Sequence, residues 1–372
     1  MRKLVLVFLA LVLVSQGGTL IEPIFLFLEK DGSRGKVNPL SREDLRLHPA
    51  ESFWYTESYF FIAYLDSGEI AYLNLIVSNM GLKKNQPALT LTIITPTRER
   101  LTTEKDFKPE DLKLSENPFS IRIGENVLSG DDRRQKLSVK QEQLGLELEF
   151  SSPVQGFKLG DGCAYFGAKK DIYFCINYPA PRARVSGYIT YNGKKVNAKG
   201  WGYLDHSWYN ADTAMFEKIW HNLKFFSPEQ NLLITSFITT ENYGGKNVAV
   251  VSLVNDQKVV FATTDLIVTE SSIEFDPAGQ KSYPKKILFE FKHSDYSGRI
   301  HFDSSKIVEK MDVLEKLNKS ATNRALKWAI QTFKQKPFYY RSFGLAELEL
   351  NPKGASSIKI SGQASCEVIF VK

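Results

Sequence analysis

The sequence lacks the standard motifs of nucleotide-dependent and hydrolytic enzymes. It contains no phosphate-binding Gly-rich loop ending in Lys-Ser or Lys-Thr, no dinucleotide fingerprint after a strand, and no Gly-x-Ser-x-Gly turn. A His-Glu-x-x-His helix and paired Cys-x-x-Cys segments are also missing, and the chain has only five histidines. The sequence therefore predicts no bound metal ion and no cofactor.

Cysteine is scarce, since Cys163, Cys175 and Cys366 are the only three in the chain. So few cysteines exclude a scaffold that depends on a disulfide framework. Cys163 and Cys175 flank a predicted hairpin, so their strands should be neighbours. A bond between these two residues and a pair of buried thiols are equally compatible with the sequence.

Long apolar runs are lacking apart from one at the N-terminus. The stretch Leu4–Val14 follows Met1-Arg2-Lys3 and precedes small residues. It is too short to span a bilayer as a stable helix, and its flanks are typical of a secretory signal peptide. We therefore assign residues 1–18 as a signal peptide and expect a periplasmic or secreted protein. An uncleaved membrane anchor is the alternative.

Charge of one sign is not concentrated in any block. The net charge of +6 is spread over 372 residues, which argues against nucleic acid as a partner. A diffuse positive excess permits weak contact with anionic membrane surfaces. The sequence does not indicate an oligomeric state.

What the sequence does contain is strict alternation of apolar and polar residues, which predicts β-strands. Leu144–Phe150 alternates in this way and predicts a strand with one dry and one solvated face. Tyr59–Leu65 and Ile70–Val77 flank a short polar turn and predict a hairpin. Strands of this kind recur along most of the chain.

The strand-rich segments fall into two parts, residues 50–180 and 185–372, after an irregular lead-in over 19–49. Pro179–Arg184 interrupts the strand pattern and predicts a domain boundary. A late region carries apolar residues at helical spacing: Ile307, Met311, Leu314, Leu317, Leu326, Ile330 and Phe333. We expect an all-β fold of two antiparallel barrels or strongly curved sheets, with one late helical segment against the second.

One ten-residue run concentrates aromatic and titratable side chains: Gly200-Trp201-Gly202-Tyr203-Leu204-Asp205-His206-Ser207-Trp208-Tyr209. The residues before it predict a hairpin, because Asn192-Gly193 tolerates the positive φ angles of a type I′ turn. The run therefore lies on a predicted strand.

The twofold period of a strand divides these side chains between two faces. Trp201, Tyr203 and Asp205 should share one face, and His206 and Trp208 the other. A carboxylate among aromatic rings is costly to ionise, so Asp205 is a candidate functional group.

The segments Val185–Tyr188, Asn192-Gly193 and Gly200–Trp208 together resemble the signature of the hydroxyneurosporene synthase family. That family takes in carotenoid 1,2-hydratases, AttH-type bacterial proteins and fungal decalin-forming cyclases. Trp54–Tyr59, with the later Gly68–Gly81 and Lys336–Tyr340, resembles the yeast survival-factor branch of the same lipocalin-like superfamily. The resemblance implies two lipocalin-like β domains with a hydrophobic cavity near their junction.

The resemblance also implies roles for the motif residues. In the hydratases the motif aspartate is the acid, so Asp205 would donate the proton, with His206, Tyr203 and Trp208 assisting. A carboxyl group in a dry aromatic pocket stays protonated and can protonate an alkene without a cofactor. Alternatively, Asp205 and His206 serve the fold by capping a turn with hydrogen bonds.

Three functions follow from these observations. The first is an exported lipocalin-like carrier of a lipid or isoprenoid-like molecule. The second is a cofactor-free hydratase or cyclase, a carbon–oxygen lyase acting through Asp205. The third is a surface interaction protein whose cavity is filled by its own side chains. The aromatic residues expected to line a hydrophobic ligand site are Trp54, Tyr59, Trp201, Tyr203, Trp208 and Trp220.

Overall fold

A computed structural model describes residues 21–80, 84–277, 279–312 and 337–371. Most of these residues lie in two curved antiparallel sheets, so the predicted all-β class with two curved sheets is confirmed. The predicted signal peptide lies outside the described residues. No helix in the described part of the chain is long and apolar enough to cross a membrane.

Within the described residues the first sheet has fifteen strands. In chain order they are β1 (Ile24–Leu26), β2 (Val37–Pro39), β3 (Thr56–Leu65), β4 (Ile70–Ser78), β5 (Gln86–Ile94), β6 (Arg100–Asp106), β7 (Leu112–Glu116), β8 (Phe119–Ile123), β9 (Asn126–Gly130), β10 (Arg134–Lys140), β11 (Leu144–Ser151), β12 (Phe157–Leu159), β13 (Cys163–Phe166), β14 (Ile172–Tyr191) and β15 (Lys194–Tyr209). The main path runs β6-β5-β4-β3-β15-β14-β11-β10-β9-β8-β7, so β15 lies centrally between β3 and β14.

The second sheet has nine strands among the described residues. They are β16 (Glu217–Phe226), β17 (Gln230–Thr239), β18 (Asn247–Asn255), β19 (Val259–Thr263), β20 (Asp265–Asp276), β21 (Lys281–Lys292), β22 (Tyr296–Asp312), β23 (Phe338–Pro352) and β24 (Ile358–Phe370). Their order is β19-β18-β17-β16-β24-β23-β22-β21-β20. A short helix, α1 (Thr213–Phe216), links the sheets, and 3₁₀ turns occur at Glu43–Leu45, Pro109–Asp111 and Glu241–Tyr243.

The predicted hairpins are present. β3 pairs with β4 across a turn that contains Gly68 at φ +97°. β14 pairs with β15 across Asn192 and Gly193, whose φ angles of 51° and 70° suit a type I′ turn. The turn fixes the register of β15 and thereby the face on which each motif side chain lies.

The change from the first sheet to the second falls later than the predicted boundary at Pro179–Arg184. That segment lies inside β14, whose pairing with β15 shifts register between Asn177 and Ala183. Proline lacks a backbone N–H, and a bulge accommodates it without ending the strand. The second sheet begins only at Glu217, after α1.

The predicted late helix is wrong where the structure can test it. Ile307 and Met311 lie in β22. A spacing of four residues also places two side chains on one face of a strand, so the apolar pattern did not distinguish the two structures. The remaining positions of the predicted helix, Leu314 to Phe333, lie outside the described residues.

Each sheet encloses its own apolar core, and a third set of contacts joins the two sheets. Phe61, Leu146 and Leu204 belong to the first core, and Phe225 and Phe289 to the second. On the side away from its own core, each sheet packs its central strands against those of the other sheet. We call this contact the seam. Its larger apolar cluster comprises Phe166, Phe174, Tyr178, Tyr203, Phe216, Leu233, Phe237, Val250 and their neighbours. Its smaller cluster comprises Ile62, Ile70, Tyr72, Ile94 and Phe343.

The cysteines follow the pairing of β13 with β14. Cys163 lies opposite Cys175 in that ladder, and the two form a disulfide. Cys366 is a free thiol buried in the second core. Of the two alternatives left by the sequence, the structure therefore has the bond.

Candidate functional site

β15 carries the motif side chains to two sides of the first sheet. Tyr203 and Asp205 lie in the seam, where the Tyr203 hydroxyl donates a hydrogen bond to Asp205 Oδ2 at 2.8 Å. His206 and Trp208 lie on the opposite side, with ring centroids 5.0 Å apart. Gly202 faces the first core, where a Cβ atom would collide with the ring of Phe150. Close packing therefore requires glycine at that position of the motif.

Asp205 is 7% exposed and lies near cationic and aromatic groups. Burial raises the pKa of Asp205 to about 6, although the Lys224 charge and the Tyr203 hydrogen bond oppose the rise. A carboxyl group with this pKa carries a proton in weakly acidic solution and can donate it to a bound molecule.

Glu367 of β24 is the anionic centre of the seam. Lys224 Nζ lies 3.2 Å from its Oε2 atom, and Arg341 Nε lies 3.0 Å from its Oε1 atom. The Tyr339 hydroxyl also donates to Oε1, at 3.0 Å. Burial raises the pKa of Glu367, but the two cations and their hydrogen bonds outweigh it and lower the pKa to about 2. Glu367 is therefore ionised at neutral pH.

The charges continue from Glu367 to the rim of the seam. Arg341 Nη1 lies 2.7 Å from Glu309 Oε2, and Glu309 also pairs with Arg100. Arg100 belongs to β6 of the first sheet, whereas Glu309 belongs to β22 of the second. This line of alternating charges crosses between the sheets and connects the partly exposed Arg100 with the buried Lys224.

Aromatic rings of the first sheet cover these cations. The Arg341 guanidinium lies 4.1 Å from the ring centroid of Tyr72 and 5.4 Å from that of Phe60. Lys224 Nζ lies 5.0 Å from the centroid of Phe60. Ring faces attract cations, most strongly where water is excluded. The seam therefore combines an apolar wall with fixed charges.

Several buried hydroxyl groups of the seam have no hydrogen-bond partner in the described part of the chain, and Tyr64 OH, Tyr72 OH and Ser365 Oγ are among them. Burial raises the pKa of both Tyr64 and Tyr72, and Ser365 lies near enough to oppose that rise in each, but no two of the three hydroxyls meet hydrogen-bond geometry. All three hydroxyls therefore lie close together and remain protonated. An unpaired buried hydroxyl costs roughly 1–3 kcal/mol, so this cluster favours a polar guest.

The other side of β15 holds a second polar cluster, centred on Glu57 of β3. His206 Nε2 lies 2.5 Å and His48 Nδ1 lies 3.1 Å from Glu57 Oε1. Tyr55 OH and the backbone N–H of His48 both donate to Oε2. Burial raises the pKa of Glu57, but the hydrogen bonds and charges of both histidines outweigh it and lower the pKa to about 2.

Aromatic rings enclose this second cluster. Tyr59 stacks on His206 with centroids 4.0 Å apart, and Trp208 stacks on His48 at the same distance. Sequence reasoning singled out His206, Tyr59 and Trp208 but missed Glu57 and His48. No motif spacing connects these residues, since Glu57 lies 149 positions from His206.

The aromatic residues predicted to bind a ligand occupy separate places. Trp220 packs against Phe174 in the apolar part of the seam, with centroids 5.0 Å apart. Trp201 lies away from both clusters, with the Arg184 guanidinium 3.4 Å from its ring centroid. Trp54 is half-buried near the surface. The six predicted residues therefore do not line one common site.

A surface groove of about 540 Å³ lies between the β10–β11 and β14–β15 turns. Its lining is rich in polar and charged residues, including Lys140, Glu142 and Glu147. Asp205 is not among its lining residues. This groove is therefore not the cavity that the sequence predicted around Asp205.

The family of the chain follows from its match to a family model. The Svf1 family model matches residues 27–372. The chain belongs to the Svf1 family. The resemblance to the survival-factor branch, predicted from Trp54–Tyr59 and the later segments, is thereby confirmed.

Curated relatives of this Svf1-family protein cover most of its length. It is 21% identical over 350 residues to the ceramide-binding protein SVF1 of Candida albicans, covering 87% of this chain and 88% of the relative. It is also 21% identical over 297 residues to the ceramide-binding protein svf1 of Schizosaccharomyces pombe, covering 76% of this chain and 78% of the relative.

Two solved structures with the same architecture are an AttH-type protein and a hydratase, in line with the resemblance to the hydroxyneurosporene synthase family. An AttH-type protein of Nitrosomonas europaea matches with a TM-score of 0.62 at 11% identity, covering 90% of this chain and 98% of that one. Kievitone hydratase of Nectria haematococca matches with a TM-score of 0.57 at 12% identity, covering 94% and 98%. At these identities the likeness shows the fold alone, and it confirms the lipocalin-like class.

Proposed function

We propose that this Svf1-family protein binds a ceramide-class lipid in the seam between its two sheets. Ceramide combines two long aliphatic chains with a small uncharged polar group that holds an amide and hydroxyls. A site for it needs an apolar wall and a few buried polar partners. The names of the curated relatives support this ligand class.

The observation that carries the proposal is the cluster of unpartnered hydroxyls in the seam. Tyr64 OH, Tyr72 OH and Ser365 Oγ can each donate and accept a hydrogen bond. An amide or a hydroxyl of a lipid would satisfy them without introducing a charge. The nearby ion pairs of Glu367 are already satisfied and do not call for a charged ligand.

The seam also offers apolar surface for the aliphatic chains. Ile62, Ile70, Ile94 and Phe343 surround Tyr72 in the smaller cluster. Because less apolar surface is buried there than in the larger cluster, separating the sheets on this side costs less free energy. We therefore place the entry route beside the smaller cluster, near the rim.

A carrier must also collect its lipid from a membrane surface. The net charge of +6 supports weak attraction to anionic membranes, which would fall as salt rises. We also propose export through the N-terminal segment, and the Cys163–Cys175 disulfide supports it because such bonds persist in oxidising compartments. Cosedimentation with anionic vesicles at low and high salt tests the membrane contact.

Binding of a fluorescent ceramide analogue to the purified protein tests the proposed function. Tyr72→Phe removes the hydroxyl and keeps the ring, so we expect a loss of about 1 kcal/mol in affinity, or about fivefold. Ser365→Ala should have a similar effect. Tyr296→Phe is the matched control, because that ring packs against Phe261 in the second sheet and should leave affinity unchanged.

Two results would contradict the proposal. One is equal affinity for ceramide in the Tyr72 and Tyr296 variants. The other is an organic extract of the natively purified protein that contains no lipid by mass spectrometry, together with no binding of added ceramide.

A second candidate function, turnover of an unsaturated lipid, is favoured by the position of Asp205. Its carboxyl group lies in the same seam, among aromatic rings and beside Tyr203. A proton donor at this place could add water across a double bond of a bound molecule. Product analysis with Asp205→Asn separates the functions, since a carrier keeps its binding whereas an enzyme loses turnover.

A further inference from the structure

We propose that His48, Glu57 and His206 form a binding site for a divalent metal ion of the zinc class. One ligand atom from each residue lies within 4.8 Å of the other two. Two imidazoles and one carboxylate are a ligand set that zinc takes in proteins, with a further position left for water. The site lies on the face of β15 opposite to the seam, so it is distinct from the lipid site.

The carboxylate of Glu57 is already oriented for coordination. The His48 backbone N–H donates to Oε2 at 2.7 Å, and the Tyr55 hydroxyl donates to the same oxygen. These two bonds hold Oε2 and leave Oε1 facing both imidazoles. Glu57 is also fully buried, so its orientation is fixed by packing.

The ring of His206 is oriented in the way that metal-binding histidines are. Its Nδ1 atom lies 3.0 Å from the backbone carbonyl of Asp44, to which it donates. A carbonyl partner at one ring nitrogen fixes the tautomer and leaves the other nitrogen free to bind a metal. The remaining nitrogen, Nε2, is the one that faces Glu57.

Two of the three distances between the ligand atoms lie within about 0.8 Å of those in a tetrahedral site, and the third is at most 4.8 Å. Tetrahedral coordination at about 2.0–2.1 Å separates neighbouring ligand atoms by about 3.3 Å. His48 Nδ1 and Glu57 Oε1 are 3.1 Å apart, close to that separation. His206 Nε2 and Glu57 Oε1 are 2.5 Å apart and would move apart by about 0.8 Å to reach it. The ion would replace the proton that this pair shares.

The position of His48 indicates how an ion would enter the site and what the bound ion would do. Its side chain is 29% exposed, whereas those of Glu57 and His206 are fully buried. His48 belongs to the irregular segment that precedes β3, so a bound ion would fasten that segment to β3 and β15. The expected role is therefore structural, and zinc should raise the midpoint of thermal unfolding.

Titration of the chelator-treated full-length protein with Zn²⁺, followed by calorimetry, tests the site in the absence of lipid. We expect one equivalent to bind, and His48→Ala to weaken binding at least 100-fold. His48 lies outside the strands, and matched circular dichroism would show that the variant is folded. His301→Ala is the control, because His301 is exposed on β22 and far from Glu57 along the chain.

The Zn²⁺ stoichiometry of the variants decides whether the site exists. One equivalent of Zn²⁺ that is lost in His48→Ala and Glu57→Gln but kept in His301→Ala supports the site. Less than one equivalent in the unaltered protein, or equal binding in the His48 and His301 variants, overturns it. Because the lipid is absent, neither result bears on ceramide binding.

Discussion

Replacing Glu367 with glutamine measures how strongly the charges in the seam stabilise the fold. The pKa of Glu367 falls from an ordinary value of 4.5 to about 2 in the folded protein. That difference corresponds to about 3 kcal/mol of stability at pH 7, at about 1.4 kcal/mol for each tenfold change. We therefore expect Glu367→Gln to lower the free energy of unfolding by about 3 kcal/mol, because Lys224 and Arg341 lose their shared carboxylate.

The effect of pH has a definite sign. A carboxyl group whose pKa is lowered by folding stabilises the native state above its unfolded pKa, and this stability is lost as pH falls through the folded value. For Glu367 the loss runs from about pH 4.5 to about pH 2. Protonated glutamate resembles glutamine, so the difference between the protein and its Glu367→Gln variant should shrink to about 1 kcal/mol at pH 3.

Urea unfolding followed by tryptophan fluorescence at pH 7 and pH 3 gives both values. Glu229→Gln is the control, because Glu229 is exposed in the turn between β16 and β17. A difference between the protein and its Glu367→Gln variant that is the same at both pH values would refute the electrostatic account. So would a loss at pH 7 no larger than that of Glu229→Gln.

Three further substitutions test the packing around the motif. Arg182 is fully buried, stacks on Trp201 and reaches across to the second sheet through hydrogen bonds, so Arg182→Ala should cost about 3 kcal/mol or more in urea unfolding. Cys163→Ser with Cys175→Ser opens a disulfide between residues 12 positions apart, which should cost about 2–3 kcal/mol and remove the effect of reductant on thermal unfolding. Gly202→Ala introduces a methyl group into the first core and should lower stability by about 1–3 kcal/mol, measured by thermal unfolding. An unchanged melting temperature in Gly202→Ala would show that the core accepts the extra methyl group.

The sequence predicted the structure correctly where the pattern lay within a few neighbouring residues. Alternation over Leu144–Phe150 predicted β11, and Asn192-Gly193 predicted the turn that sets the register of β15. From that register alone, Tyr203 and Asp205 could be placed on one face of the strand. Backbone preference and twofold periodicity act over a few residues, so a single sequence carries them.

The partners of those residues could not be predicted, because they come from strands distant in the chain. Lys224 and Glu367 reach the seam from the second sheet, and Glu57 reaches His206 through the pairing of β3 with β15. No spacing in the sequence encodes such contacts. The domain boundary predicted at Pro179–Arg184 and the helix predicted from Ile307 and Met311 have another explanation. Both segments lie inside strands, because each local pattern is compatible with two structures and packing decides between them.

The alternation along β15 gives neighbouring residues opposite surroundings: Asp205 lies near the cation Lys224, and His206 lies against the anion Glu57. One additional residue between 194 and 200 would exchange the two side chains across the sheet. Asp205 would then meet a second carboxylate, and His206 would meet an ammonium group. The number of residues between the Asn192-Gly193 turn and the motif therefore decides which of the two clusters each of these side chains joins.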